Sequence, residues 1–216
     1  MPFLPLTDDL KAAMAARNSP GIQERLARGK IAVAGLGGLG SNIAVMLARI
    51  GVGRLLLVDF DKVEPSNLNR QHYCVSHIGM PKAEALQSQL AQINPFVETE
   101  IRVEKITEDN AREIFEGYPI VCEAFDRAEN KAMLVGALLR DGEKNGGKKI
   151  VAASGMNGFE SSNKIKTEKI FSGLYVCGDS VAPKQEGIGF MAPRVGICAG
   201  HQANMALRLL LGIEEG

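Results

Sequence analysis

The sequence predicts an α/β chain: a doubly wound, mainly parallel Rossmann-like sheet with an antiparallel extension and a final helix at its C-terminal side. Three observations predict it. Short apolar runs alternate with helical stretches from Lys30 to Ser154, a glycine-rich turn joins the first run to an apolar helix, and Asp59 ends the second run. The chain has 216 residues, 45% hydrophobic and 23% charged, which suits one domain and excludes a disordered polymer.

Residues 1–29 read as a helical arm. Helix formers occupy 10–16, Asn18-Ser-Pro-Gly21 interrupts them, and a short amphipathic stretch ends at Arg28-Gly29. Residues 30–216 read as a single domain. It opens with a strand over 30–34 (KIAVA), a helix over 41–50 closed by Gly51, and a strand over 54–60. Residues 61–79 carry polar groups without apolar periodicity and read as a long loop with one helical turn. A helix over 81–93 follows from Pro81 at its first turn and from Leu86, Leu90 and Ile93 on one face. The pattern continues with a strand over 97–103, a short helix over 107–116 capped by Thr107, and a strand over 119–125. A helix over 128–140, a polar turn over 142–147 and a buried strand over 150–154 come next. Beyond Gly155 the pattern weakens to glycine-punctuated polar segments with weak strands near 163–170, before a helix over 193–211.

Lys plus Arg number 25 and Asp plus Glu 25, so the net charge is zero, which argues against broad attraction to nucleic acid or an acidic membrane. No apolar run reaches ~18 residues and the N-terminus lacks a signal-peptide pattern, so a cytoplasmic location is expected. Cys74, Cys122, Cys177 and Cys198 form no Cys-x-x-Cys pair, and zinc is not expected. His72, His77 and His201 lack partners at ligand spacing and read as structural or surface groups.

Gly35-Leu-Gly37-Gly38-Leu39-Gly40-Ser41 lies between strand and helix, where small residues let backbone N–H groups approach a phosphate. Asp59 stands where a carboxylate accepts ribose hydroxyls. These features fit NAD as well as ATP, and glycines can also serve only to pack helix on strand. The next loop separates the cases: Asp61, Asn67, Arg70 and Gln71 follow at once, and Lys82 opens the next helix. Arg and Lys together suit a triphosphate, although each alone reads as a surface group. Asp126, beyond the strand over 119–125, is placed to hold Mg²⁺ or to cap the following helix.

Through GLGGLGS, LLLVDFDKVEPSNLNRQ, the Gly79-Met-Pro-Lys82 step and EAFDRAENK, about residues 17–158, the chain resembles the ThiF/MoeB/ubiquitin-activating-enzyme superfamily of adenylyltransferases. It looks most like the short ThiF-type members. The resemblance implies that Gly35, Gly37, Gly38, Leu39, Gly40, Asp59, Asp61, Asn67, Arg70, Gln71 and Lys82 hold ATP, and that Asp126 holds Mg²⁺. It implies adenylation of the C-terminal glycine of a ThiS-like sulfur carrier ending in Gly-Gly, with release of pyrophosphate, in thiamine synthesis. It also implies a homodimer in which Arg17, or Arg25 in its place, reaches the partner's site. Cys177 is a candidate for covalent linkage to the activated carrier if exposed, and otherwise a small half-buried hydrophobe. The family's paired Cys-x-x-Cys motifs are absent. Two other readings stand beside this one: an enzyme like the tRNA threonylcarbamoyladenosine dehydratases, against which neutral charge counts, and a non-catalytic nucleotide-binding scaffold.

Overall fold

The structure, a computed structural model, describes residues 7–140, 147–179 and 189–215. The strands β1 (Lys30–Ala34), β2 (Arg54–Val58), β3 (Glu98–Arg102), β4 (Ile120–Glu123), β5 (Lys149–Ala153), β6 (Lys166–Phe171) and β7 (Leu174–Gly178) form one sheet in the order β3-β2-β1-β4-β5-β7-β6. Every pairing is parallel except that of β6 with β7. The helices are α1 (Asp8–Ala15), α2 (Gln23–Arg28), α3 (Gly38–Ile50), α4 (Lys82–Ile93), α5 (Ala111–Ile114), α6 (Ala128–Leu139) and α7 (Ala192–Leu210).

Side chains alternate across the sheet, and both faces are covered. Ile31, Val33, Leu55 and Leu57 pack with α3, α4 and α7, whereas Ala32, Ala34, Leu56 and Val58 pack with α5 and α6. All eight are fully buried; at ~1.5–3 kcal/mol for each large side chain, β1 and β2 form the rigid platform under the site. Leu26 of α2 is also fully buried in the first of these cores, so the second half of the arm packs on the domain. Gly51 ends α3 in the left-handed region (φ +84°), and the N–H of Val52 returns to the Leu47 carbonyl at 3.2 Å.

Two expectations change in detail. The helix expected over 107–116 is only the one turn of α5, because the Asn110 side chain bonds the Thr107 N–H (2.7 Å) and the Lys105 carbonyl (3.0 Å), closing a turn first. The antiparallel extension is present as β6, but it lies outside β7, a parallel strand that the sequence pattern did not reveal. Most of the polar turn expected over 142–147 falls outside the described residues. Among the described residues no helix is long and apolar enough to cross a membrane.

The strand order reverses beside β1, whose neighbours β2 and β4 are reached by crossovers on opposite sides. In an open parallel sheet that reversal leaves a crevice at the carboxyl ends of the strands.

Candidate active site

A cleft of about 840 Å³ occupies this crevice, within the range of small-molecule sites. Its floor is the turn after β1. Gly35 adopts φ +87°, and a Cβ there would stand 3.1 Å from the Ala124 carbonyl oxygen. A Cβ on Gly40 would stand 1.8 Å from the Gly35 carbonyl oxygen, so this glycine lets α3 press on its own loop. Gly40 does not line the cleft; Gly35, Gly37, Gly38 and Leu39 do. A Cβ on Gly37 would meet nothing nearer than the Gln71 amide nitrogen at 3.8 Å. Gly37 caps α3 without a side-chain hydrogen bond, which leaves the first N–H groups of the helix for an anion.

Asp59, at the end of β2, is 8% exposed and holds the loop through two backbone bonds. Its carboxylate accepts the N–H of Leu36 (2.6 Å) and of Asp61 (2.8 Å). Burial pushes this carboxyl above its ordinary range, against the pull of Lys82 and the two N–H groups. Lys82 is 6% exposed and pairs with Asp61 at 2.8 Å. The stem of Lys82 is buried while its ammonium reaches the cleft wall.

Three bonds strap the loop after β2 to the helix start. Ser41 Oγ accepts the His72 N–H (3.0 Å), Asn42 Nδ2 donates to the Arg70 carbonyl (3.2 Å), and the Tyr73 hydroxyl donates to the Leu36 carbonyl (2.8 Å). Arg70 is thereby fixed over the helix N-terminus, its guanidinium 5.8 Å from the Phe190 ring centre and bonded to Asn69 Oδ1 at 2.8 Å. Asn67 lines the cleft, but its Oδ1 accepts the Glu64 N–H at 3.1 Å and its NH₂ donates to Ser66 Oγ at 3.4 Å, which leaves one amide proton for other duties. Gln71 lines the cleft with its Oε1 buried and unpartnered among the described residues.

The opposite wall comes from β4, β5 and α6. Glu123 is fully buried; its carboxylate accepts the Phe125 N–H (2.6 Å) and both its oxygens meet the Lys131 ammonium at 3.0 Å. Burial pushes this carboxyl up, and Lys131 with the backbone of Phe125 and Ala153 pulls it back. Gln202 of α7 donates to the main-chain carbonyls of Glu123 and Val151 at 2.9 Å. Beyond Phe125, Asp126 is exposed in the cleft and makes no hydrogen bond or ion pair among the described residues. Those residues contain no group of three His, Cys, Asp or Glu side chains placed to hold a metal. One free carboxylate is nevertheless what Mg²⁺ requires when phosphate oxygens and waters complete its shell.

Besides Gly40, three expected residues are not brought to the cleft. Asn18 bonds the Ile50 carbonyl at 3.2 Å, which puts neighbouring Arg17 near the C-terminal end of α3, about 20 Å along the helix from the cleft. Arg25 donates to the Leu211 carbonyl at 2.9 Å and is committed to the end of α7. Cys177 is fully buried in β7, 3.4 Å from Thr167 Oγ1, and burial pushes its thiol up to about 11. The exposure expected of a linking cysteine is therefore absent, because the segment is a core strand and not a loop. The histidines act locally: His77 Nδ1 accepts the Cys74 N–H and His201 Nδ1 meets Thr167 Oγ1, both at 3.0 Å.

The sequence over residues 10–216 matches the family model described as the ThiF family. The chain belongs to the ThiF family. This ThiF-family chain is 43% identical over 105 residues to a sulfur carrier protein adenylyltransferase of Thermus thermophilus, an alignment covering 48% of the chain and 39% of that relative. It is 33% identical over 199 residues to an adenylyltransferase and sulfurtransferase of Candida glabrata, covering 88% of the chain and 44% of the relative. It thus spans less than half the length of these curated relatives. Among solved structures, the E. coli tRNA threonylcarbamoyladenosine dehydratase TcdA in complex with ATP superposes with a TM-score of 0.83 at 23% identity, covering 97% of this chain and 98% of that one; this likeness concerns the fold. In the ThiF-family chain, the segment EAFDRAENK begins at Glu123 and ends at Lys131, but nothing in it singled the two out as a pair, and Tyr73 carried no motif. Only Glu123 carried a signal, as an acid in the otherwise apolar run PIVCEAF.

Proposed function

We propose that this chain adenylates a carboxylate at the expense of ATP, and that the carboxylate is the C-terminal glycine of a small sulfur carrier protein. The observation that carries the reading is one cleft in which the uncapped start of α3 faces Arg70 and Lys82, with the unpaired Asp126 across from them. Asp59 would take the ribose and Gly37 the closest phosphate. Arg70 and Lys82 would offset charge as pyrophosphate leaves, Lys82 exchanging part of its bond to Asp61 for phosphate oxygens. Mg²⁺ held by Asp126 would neutralise phosphate charge, and with a single free carboxylate it would bind together with the nucleotide. No side-chain nucleophile is needed, since the carboxylate itself attacks the α-phosphate and orientation supplies much of the rate. The names of the Thermus thermophilus relative and of the Haemophilus influenzae molybdopterin-synthase adenylyltransferase, 41% identical over 113 residues (52% of this chain, 46% of the relative), support a carrier as acceptor. A ThiS-type carrier would place the reaction in thiamine synthesis. An Arg17 contribution would have to come from a second copy of the chain.

The test is ATP–pyrophosphate exchange with Mg²⁺, run with no acceptor, with carriers ending in Gly-Gly, and with tRNA. Carrier-dependent exchange is expected. Exchange driven by tRNA alone would replace the carrier reading with the dehydratase-like one, and ATP binding without exchange would leave a scaffold.

A further inference from the structure

The cations assigned to phosphate come from one side of the cleft. Arg70 and Lys82 belong to the loop after β2 and the start of α4, but an attacking carboxylate must approach a polyphosphate that repels it. On the β4–β5 side the cleft is lined by two cations, Lys131 and Arg127. Arg127 is exposed at the rim, whereas Lys131 is held in place. Its ammonium is centred on both oxygens of a fully buried Glu123, and 23% of the Lys131 side chain remains exposed toward the cleft. Two of its three protons serve Glu123, so one is left for another acceptor. The wall is close to the nucleotide floor, since a Cβ on Gly35 would touch the Phe125 ring at 3.0 Å. A pair kept only for stability could be replaced by apolar groups of similar volume without loss. Here it stands in the wall of an anion site, with Glu123 also fixing the Phe125 N–H beside Asp126.

We infer that Lys131 is a binding residue for the acceptor carboxylate and that Glu123 is its positioning residue. This rests on the adenylation reading. The spare Lys131 proton holds one carboxylate oxygen while the other faces the α-phosphate, and Glu123 keeps the ammonium from swinging toward the phosphates, whose charge would otherwise capture it. The carboxylate oxygen then bonds to phosphorus as the bond to pyrophosphate breaks, and no proton is transferred to Lys131.

The experiment measures ATP–pyrophosphate exchange against the concentration of a purified carrier ending in Gly-Gly, and ATP affinity separately by titration calorimetry. Glu123→Gln combined with Lys131→Met removes both charges without leaving one buried alone. The expected result is a carrier KM raised at least about tenfold with ATP affinity within about twofold of the parent. Lys131→Arg, which keeps the charge and the partner, is expected to hold the carrier KM within about threefold and covers the case of a double variant that does not fold. An unchanged carrier KM in the double variant, a loss carried by ATP affinity, or a failure of Lys131→Arg overturns the assignment. Absence of exchange in the parent protein is a different result: it overturns the adenylation reading, and this inference with it.

Discussion

Replacing Gly40 by alanine is expected to damage the fold, and replacing Gly37 is expected to damage only the site. In an open helix a glycine-to-alanine change gains ~1 kcal/mol. At Gly40 the new Cβ would lie 1.8 Å from the Gly35 carbonyl oxygen and 3.1 Å from Val33 Cγ1. To reach ordinary contact near ~3.5 Å, α3 must move off β1 by more than about 1 Å. Gly35 cannot yield freely, because its own positive φ holds it under Ala124. Overpacking of this kind costs ~1–3 kcal/mol, and the displaced bonds of the loop bring the total to about 3 kcal/mol. At ~2–4 °C per kcal/mol for a chain of this size, Tm falls by roughly 6–12 °C. Gly37→Ala puts a methyl into open cleft, so Tm stays within ~2 °C while ATP affinity drops at least about tenfold. Scanning calorimetry with ATP titration on both variants checks this. A Gly40→Ala protein as stable as its parent, or a Gly37→Ala protein that binds ATP normally, refutes the division of roles between the two glycines.

Four further outcomes are expected. Arg70→Ala and Asp126→Ala each lower ATP–pyrophosphate exchange by about 10²-fold with unchanged far-ultraviolet circular dichroism, and near-parental exchange removes the residue from the mechanism. A thiol reagent at pH 8 modifies Cys74 first; Cys177, with its thiol pushed up to about 11, presents roughly one thiolate in 10³ and reacts only on unfolding, so fast labelling of Cys177 contradicts its burial. Arg194→Met removes the buried guanidinium that bonds the carbonyls of Glu160 (2.6 Å) and Ser161 (3.0 Å) and pairs with Asp179, and urea unfolding should show a loss of ~3–5 kcal/mol. The Asp59 carboxyl is raised in the folded chain, so its contribution to stability grows as pH falls from the raised folded value toward 3.8 and is flat above it. Asp59→Asn should flatten that part of the stability profile, while ATP affinity of the parent weakens over the same interval because a protonated Asp59 cannot accept both N–H groups.

The gathering of the glycine turn, Asp59 and Asp126 at one sheet edge was legible because each follows an apolar run that local sequence displays, and Arg70 and Lys82 joined them through the motifs that carry the resemblance. The Glu123–Lys131 pair was not, since its meaning depends on a turn that folds Lys131 back over the end of β4. Strand β7 was hidden for another reason. Leu174-Tyr-Val-Cys-Gly178 is short and flanked by glycines, and its pairing with β5 and β6 and the burial of Tyr175 make it a strand. That one element turned Cys177 from a candidate surface nucleophile into core. Arg17 lies far from the cleft of its own chain because the arm packs at the far end of α3, a long-range choice carried by Asn18 and Ile50, so any reach of Arg17 into a site is a matter for a second copy.

Val195 of α7 stands 3.1 Å from where a Cβ of Gly38 would be, and Phe190, just before that helix, lies beneath Arg70. In a chain made from its N-terminus, the glycine turn, α3 and β2 leave the ribosome long before either residue exists. The nascent β-α-β unit therefore carries the phosphate floor with one wall missing and the apolar face of α3 that α7 will cover still exposed to water. On the adenylation reading, the nucleotide site would be complete only once synthesis has reached α7, and until then the exposed face is a surface for chaperones to shield.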